Sequence, residues 1–152
     1  MITVQTPSIK RKDLEYVLES LMSEQLEYGT FAKKFEEKLG ERIGCKYGLS
    51  VNSYYSAIDI TLEAIDLQPE DEIIIPSFAP TIYLDLLLRR KIKPVIIDID
   101  ENSYFPSPEQ VENAVTDKTK ALILVHNFGF AIDDAPYKEL VPILIEDITK
   151  VP

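Results

Sequence analysis

The sequence predicts an α/β fold, a three-layer domain with a mainly parallel sheet and flanking helices. Two observations carry this prediction. Short apolar runs without alternation, such as Ile73–Ile75, are typical of strands that are buried on both faces. These runs alternate along the chain with segments whose apolar residues recur every three or four positions, as amphipathic helices require. The length of 152 residues favours a single domain spanning residues 1–152.

Residues 1–45 are predicted to be a helical lead-in to this domain. Asp13 is suited to cap a helix with apolar positions at helical spacing, namely Leu14, Val17, Leu18 and Leu21. A second helical pattern follows Gly29 and ends near Gly40 and Gly44; its apolar positions are Phe31, Phe35, Leu39 and Ile43.

Beyond residue 45 the pattern changes to alternating strands and helices. Five strand candidates are Tyr47–Val51, Glu72–Pro76, Pro94–Ile99, Lys120–His126 and Val141–Glu146. Helices are predicted between them, over residues 57–65, from Pro80 onward and from the capping sequence at Ser107 onward. The polar stretch between the last two strand candidates, which includes Asp133 and Asp134, is predicted to contain a short helical piece. Strands separated by helices predict a parallel sheet.

Composition and charge exclude several function classes. The chain carries 16 Lys and Arg against 26 Asp and Glu, a formal net charge of −10, which repels phosphate backbones and makes nucleic acid an unsuitable partner. The single cysteine, Cys45, forms no internal disulfide and favours a reduced, cytoplasmic location. No leader is predicted in residues 1–12, no apolar run is long enough to cross a membrane, and no metal site is predicted.

Candidate site residues lie where the predicted strands end, because open parallel sheets bind ligands beyond the carboxyl ends of their strands. The residues at the ends of the five strand candidates are Asn52-Ser53, Pro76-Ser77-Phe78, Asp98, His126-Asn127 and Glu146-Asp147. The glycine-rich loops of dinucleotide and triphosphate sites do not occur in the sequence. From the residues alone, His126 is interpreted as a packed or capping residue, and Glu146-Asp147 as a solvated strand end or a pair of metal ligands.

An ordered series of motifs resembles the DegT/StrS family of sugar aminotransferases. The matching segments are Tyr28-Gly29, Phe35-Glu36, Val51-Asn52-Ser53, Glu70–Phe78, Pro94–Asp100, Thr119-Lys120-Ala121, Val125-His126 with Phe128-Gly129, and Glu146-Asp147. They cover nearly the whole chain in the family's order. The resemblance implies the N-terminal part of the large domain of a fold-type I enzyme that binds pyridoxal phosphate and acts on nucleotide sugars.

The resemblance also implies roles for individual residues. Asp147 matches the carboxylate that pairs with the cofactor's pyridine nitrogen, and His126 falls in a further cofactor-site motif. The family's Ser-Gly-Thr phosphate turn stands here as Ser53-Tyr54-Tyr55, so we expect phosphate to be held weakly or to be blocked. No residue of the given sequence matches the family's Schiff-base lysine, so no catalytic residue is assigned.

These departures predict a degenerate, truncated sugar-aminotransferase-like domain, a pseudoenzyme that does not transaminate on its own. One alternative is the N-terminal half of an active enzyme completed in trans by a C-terminal chain; another is a non-catalytic α/β binding or interaction module. A homo-oligomer and a nucleotide sugar remain candidate partners. Tyr54 and Tyr55 are interpreted as packing on the first turn of a helix, with the alternative that they fill a cofactor pocket or anchor a partner.

Overall fold

A computed structural model describes residues 8–23 and 27–150 of the chain. The sequence predicts no leader in residues 1–12, and residues 1–7 of that segment lie outside the described residues. The chain divides into two compact units, Met1–Asn52 and Ser53–Pro152. Within the described residues, no helix is both long enough and apolar enough to span a membrane.

The first unit contains two helices, α1 (Arg11–Met22) and α2 (Thr30–Ile43), which confirms the predicted helical pair. Asp13 lies in the first turn of α1 rather than before it, and its Oδ2 accepts the Lys10 amide proton at 2.7 Å. Helix α2 ends at Gly44, whose φ of +72° is readily adopted only by a residue without a Cβ.

The predicted strand Tyr47–Val51 is wrong, because this segment has no regular structure. Tyr47 and Leu49 are 80% and 66% exposed, so the segment buries no apolar face, and it pairs with no other described strand. Glu36 of α2 holds the segment instead: its carboxylate accepts the Tyr28 hydroxyl at 2.6 Å and both the amide and the hydroxyl of Ser50 at 2.7 Å.

The second unit is built around a four-stranded parallel sheet with the order β2-β1-β3-β4. Its strands are β1 (Glu72–Pro76), β2 (Lys93–Ile97), β3 (Thr119–Val125) and β4 (Ile143–Asp147). Strand β1 coincides with its predicted bounds, and the other three differ from theirs by one or two residues at either end. The isoleucines of β1 are 0–4% exposed, as a strand covered on both faces requires.

Helices cover both faces of this sheet, which confirms the three-layer α/β prediction. One core joins β1 and β3 to α3 (Tyr54–Ala64) and α4 (Thr81–Arg89), through Ile58, Leu62, Tyr83, Leu86 and Leu87. The opposite core joins the same strands to α5 (Pro108–Ala114) and α6 (Ala135–Lys138), through Val111 and Tyr137. Ser107 and Gln110 form the predicted capping box at the start of α5.

Candidate functional site

The candidate site lies at the carboxyl end of β4, on the face of the sheet that α3 and α4 cover. Alternate residues of a strand point to opposite faces, and Asp147 shares the face of Ile145, which packs with the α3 and α4 core. Asp147 is the last residue of β4 and is only 7% exposed. A buried carboxylate needs hydrogen-bond donors around it, and three side chains and one backbone amide supply them.

Four hydrogen bonds satisfy the Asp147 carboxylate completely. Its Oδ2 accepts the hydroxyl of Tyr54 at 2.5 Å and the hydroxyl of Tyr83 at 2.9 Å. Its Oδ1 accepts the Thr149 hydroxyl at 2.7 Å and the Thr149 amide at 3.1 Å. Since each carboxylate oxygen offers two lone pairs, no acceptor position of Asp147 is left for another molecule.

The protonation states of this cluster follow from burial and these hydrogen bonds. Burial raises the pKa of Asp147, but the bonds from Thr149, Tyr54 and Tyr83 outweigh burial and hold that pKa below its usual value. Burial, and next the bond to Asp147, raise the pKa of Tyr54 to about 12. Burial also raises the pKa of Tyr83 far above its usual value. Near neutral pH the cluster therefore holds one carboxylate and two neutral phenols.

Tyr83 is the residue that sequence reasoning missed. It lies within the apolar run of α4 and is 2% exposed. The sequence predicts a helix at this position but no role for the residue in a site. Its ring meets the ring of Tyr54 edge to face, with centroids 6.4 Å apart and an interplanar angle of 86°. The one available signal was a hydroxyl at a core-facing position, which needs a buried partner.

The predicted phosphate turn forms the start of α3, and its serine caps that helix. Ser53 is the N-cap residue, and its Oγ accepts the Ser56 amide proton at 3.1 Å. The side chains of Tyr54 and Tyr55 occupy the first two positions of the helix, where the resemblance implies small residues. Tyr55 is 40% exposed and makes no hydrogen bond to Asp147.

His126 points to the opposite face of the sheet from Asp147. Its Nε2 lies 3.2 Å from Glu146 Oε1, and its ring meets that of Phe105 at 5.5 Å between centroids. Only its backbone reaches the candidate site, since the His126 amide donates to the Asp147 carbonyl oxygen at 2.9 Å. The structure thus brings Tyr54 and Asp147 together and leaves the His126 side chain apart from them.

A cavity of about 170 Å³ adjoins the Asp147 cluster. Its polar lining includes Tyr54, Tyr83, Asp147 and Thr149. Its apolar wall comes from α3 and from the last two strands, and includes Ala57, Ile58, Leu62, Ile123 and Ile145. Predominantly apolar walls with a few polar groups are typical of sites for small molecules.

Comparisons with known proteins agree with this architecture. The profile of the DegT/DnrJ/EryC1/StrS aminotransferase family matches residues 7–140. GDP-perosamine synthase from Escherichia coli is 30% identical over 140 residues, which are 91% of this chain and 38% of that protein. The chain spans 32–38% of the length of four curated relatives that it matches.

Two solved structures extend the comparison to the fold. The aminotransferase from Psychrobacter cryohalolentis superimposes with a TM-score of 0.88 at 27% identity, over 96% of this chain and 38% of that one. NtdA from Bacillus subtilis, solved with bound cofactor PMP, gives a TM-score of 0.80 at 25% identity, over 94% of this chain and 35% of that one. The fold is therefore that of part of a PLP-dependent aminotransferase.

The side chains at the candidate site do not fit pyridoxal phosphate as they stand. A pyridine N–H needs a free carboxylate oxygen, but both oxygens of Asp147 are fully engaged within the chain. A phosphate group needs close approach to backbone amides at the start of α3, where Tyr54 and Tyr55 carry large side chains and Ser53 already caps the helix.

Proposed function

The chain belongs to the DegT/DnrJ/EryC1/StrS aminotransferase family, and from this premise we propose that it is a degenerate sugar-aminotransferase-like domain that does not transaminate on its own. The observation that carries the proposal is the saturation of the Asp147 carboxylate by Tyr54, Tyr83 and Thr149. A carboxylate that already accepts four hydrogen bonds does not pair with a cofactor ring unless one of these donors leaves.

The altered phosphate turn is a second observation that supports the proposal. Tyr54 and Tyr55 replace the small residues that permit close approach of a phosphate, and the Ser53 hydroxyl accepts the Ser56 amide proton as the cap of α3. Tyr54 thus replaces a small residue of the phosphate turn and also donates to Asp147, 93 residues away in sequence.

The test is a titration of the full chain with pyridoxal phosphate, followed by its visible absorbance and by competition with inorganic phosphate. We expect no saturable change in absorbance. The absorbance should instead rise linearly with cofactor concentration, by the same amount for wild type and for Asp147→Ala. Saturable binding that phosphate competes away and that Asp147→Ala abolishes would contradict the proposal, because it would show that Asp147 still holds the cofactor.

A second candidate function is that of an N-terminal part completed by a C-terminal chain. It is favoured by the span of 32–38% of the curated relatives, and by β4, which among the described strands pairs only with β3. An edge strand offers unpaired backbone groups to a further strand. In that case a nucleotide sugar is the substrate class, since one relative is a GDP-perosamine synthase.

The two candidates predict different results when chains are combined. Mixing this chain with the C-terminal part of a relative restores saturable cofactor binding only if completion in trans is correct. Light scattering on this chain alone tests the remaining candidate partner, a second copy.

A cytoplasmic location stays a proposal, supported by the free and exposed thiol of Cys45.

A further inference from the structure

Tyr54 is placed as though it were a ligand of Asp147 rather than an ordinary packing residue. We propose that Tyr54 is an internal ligand: its phenol fills, from within the chain, the position where a planar ring with one N–H or O–H donor would pair with the Asp147 carboxylate. This inference rests on the proposed function and names what prevents that site from accepting such a ring.

The contacts of Tyr54 are those of a bound phenol. Its hydroxyl donates to Asp147 Oδ2 at 2.5 Å, and its ring lies edge to face on the ring of Tyr83, with centroids 6.4 Å apart. A hydrogen bond to an ionised acceptor and an edge-to-face aromatic contact are two interactions that a free aromatic ligand would also make. Tyr54 supplies both without leaving its own helix.

The two tyrosines at Asp147 differ in their freedom to move. Tyr83 is 2% exposed and belongs to the core between the sheet and α4, so packing against that core holds its ring in place. Tyr54 is 36% exposed, and it occupies the first position of α3, beside solvent. Tyr54 is therefore the donor that an entering ring would replace, while Tyr83 would remain as part of the site.

The space around Tyr54 matches a six-membered ring. Its side chain forms part of the lining of the cavity of about 170 Å³, whose apolar wall includes Ile58 and Ile145. Truncating Tyr54 to alanine would join the volume of the phenol to that cavity, whereas a cavity of about 150 Å³ is already large enough for a benzene ring. The class of ligand is thus a phenol or a protonated pyridine without a large substituent.

The N-terminus of α3 does not depend on the Tyr54 side chain. The helix is capped by Ser53 through the Ser56 amide, and the Ala57 amide donates to the Ser53 carbonyl oxygen at 3.1 Å. Alanine at position 54 keeps this cap and has the highest helix propensity. Tyr55 is a matched control, because it is the adjacent tyrosine, 40% exposed, and makes no hydrogen bond to Asp147.

The experiment measures binding of pyridoxine by calorimetry to wild type, Tyr54→Ala and Tyr55→Ala. Pyridoxine carries the pyridine ring but no phosphate, so the altered phosphate turn does not enter the result. We expect Tyr54→Ala to bind at least about tenfold more tightly than wild type, the factor that corresponds to one released hydrogen bond. We expect Tyr55→Ala to bind as wild type does.

Two results would overturn the inference. One is a folded Tyr54→Ala variant, checked by circular dichroism, that binds no more tightly than wild type; the other is an equal gain in Tyr55→Ala. If Tyr54→Ala does not fold, Tyr54→Phe keeps the ring and removes only the hydroxyl. Carbon NMR must then show a rise in the Asp147 pKa, and an unchanged pKa would refute the Tyr54 hydrogen bond.

The outcomes separate this inference from the proposed function. Saturable pyridoxal phosphate binding by wild type contradicts the proposed function, whatever the variants do with pyridoxine. Failure of Tyr54→Ala to gain pyridoxine binding contradicts only the role of Tyr54. In that case another group would account for the lack of cofactor binding in wild type.

Discussion

Replacing Asp147 by alanine removes the acceptor shared by the hydroxyls of Tyr54 and Tyr83. The two hydroxyl oxygens lie 3.3 Å apart, so after the replacement one hydroxyl donates to the other and a single donor loses its partner. Tyr83 is 2% exposed and can donate to Tyr54, which is 36% exposed and can donate to water. The bond that Tyr83 loses is one to a charged acceptor, worth about 1.5–3 kcal/mol, and the loss of the Thr149 bonds near the surface adds about 1 kcal/mol. The expected loss of unfolding free energy is therefore about 2.5–4 kcal/mol.

The assay is urea unfolding at neutral pH, followed by circular dichroism. Asp98→Ala is the matched control: Asp98 directly follows the end of β2, is exposed, and accepts the Ser77 hydroxyl at 3.1 Å. Its loss should cost less than about 1 kcal/mol, since surface substitutions have small effects. If Asp147→Ala costs no more than Asp98→Ala, the hydrogen-bonded cluster at Asp147 does not stabilise the fold as described.

Three further predictions follow from single contacts. The pKa of Asp147 is lower in the folded than in the unfolded chain, so its carboxylate stabilises the fold above about pH 4. This stabilisation is lost as pH falls. The difference in unfolding free energy between wild type and Asp147→Asn must therefore shrink when urea titrations are repeated at acid pH. In Glu36→Ala the Ser50 amide, which donates to that carboxylate at 2.7 Å, must exchange with deuterium faster than in wild type. Gly44→Ala should cost about 1 kcal/mol, because φ is +72° there while no atom obstructs a Cβ; an unchanged melting temperature would contradict that strain.

Local patterns were sufficient for most of the fold. The three isoleucines of β1 predicted a strand covered on both faces, and the Ser107 capping sequence predicted the start of α5. Both depend on neighbours within a few residues. The segment Tyr47–Val51 shows the limit, because its apolar residues have strand character but a strand forms only beside a hydrogen-bonding neighbour.

The site could be predicted only in part, for a similar reason. Asp147 was identified from a motif of two adjacent residues. Its partners lie 93 residues away at Tyr54 and 64 residues away at Tyr83, and no local pattern reports such pairings. His126 was grouped with Asp147 because both stand at strand ends, but a shift of one position along a strand turns the side chain to the other face.

The central claim is that Tyr54 and Tyr83 hold the Asp147 carboxylate in place of a cofactor. The most direct measurement is a crystal structure of the full chain grown with an excess of pyridoxal phosphate. The account predicts that both hydroxyls remain within hydrogen-bond distance of Asp147 Oδ2 and that no cofactor ring lies beside it. Density for a ring whose nitrogen faces Asp147, with Tyr54 displaced, would contradict the claim.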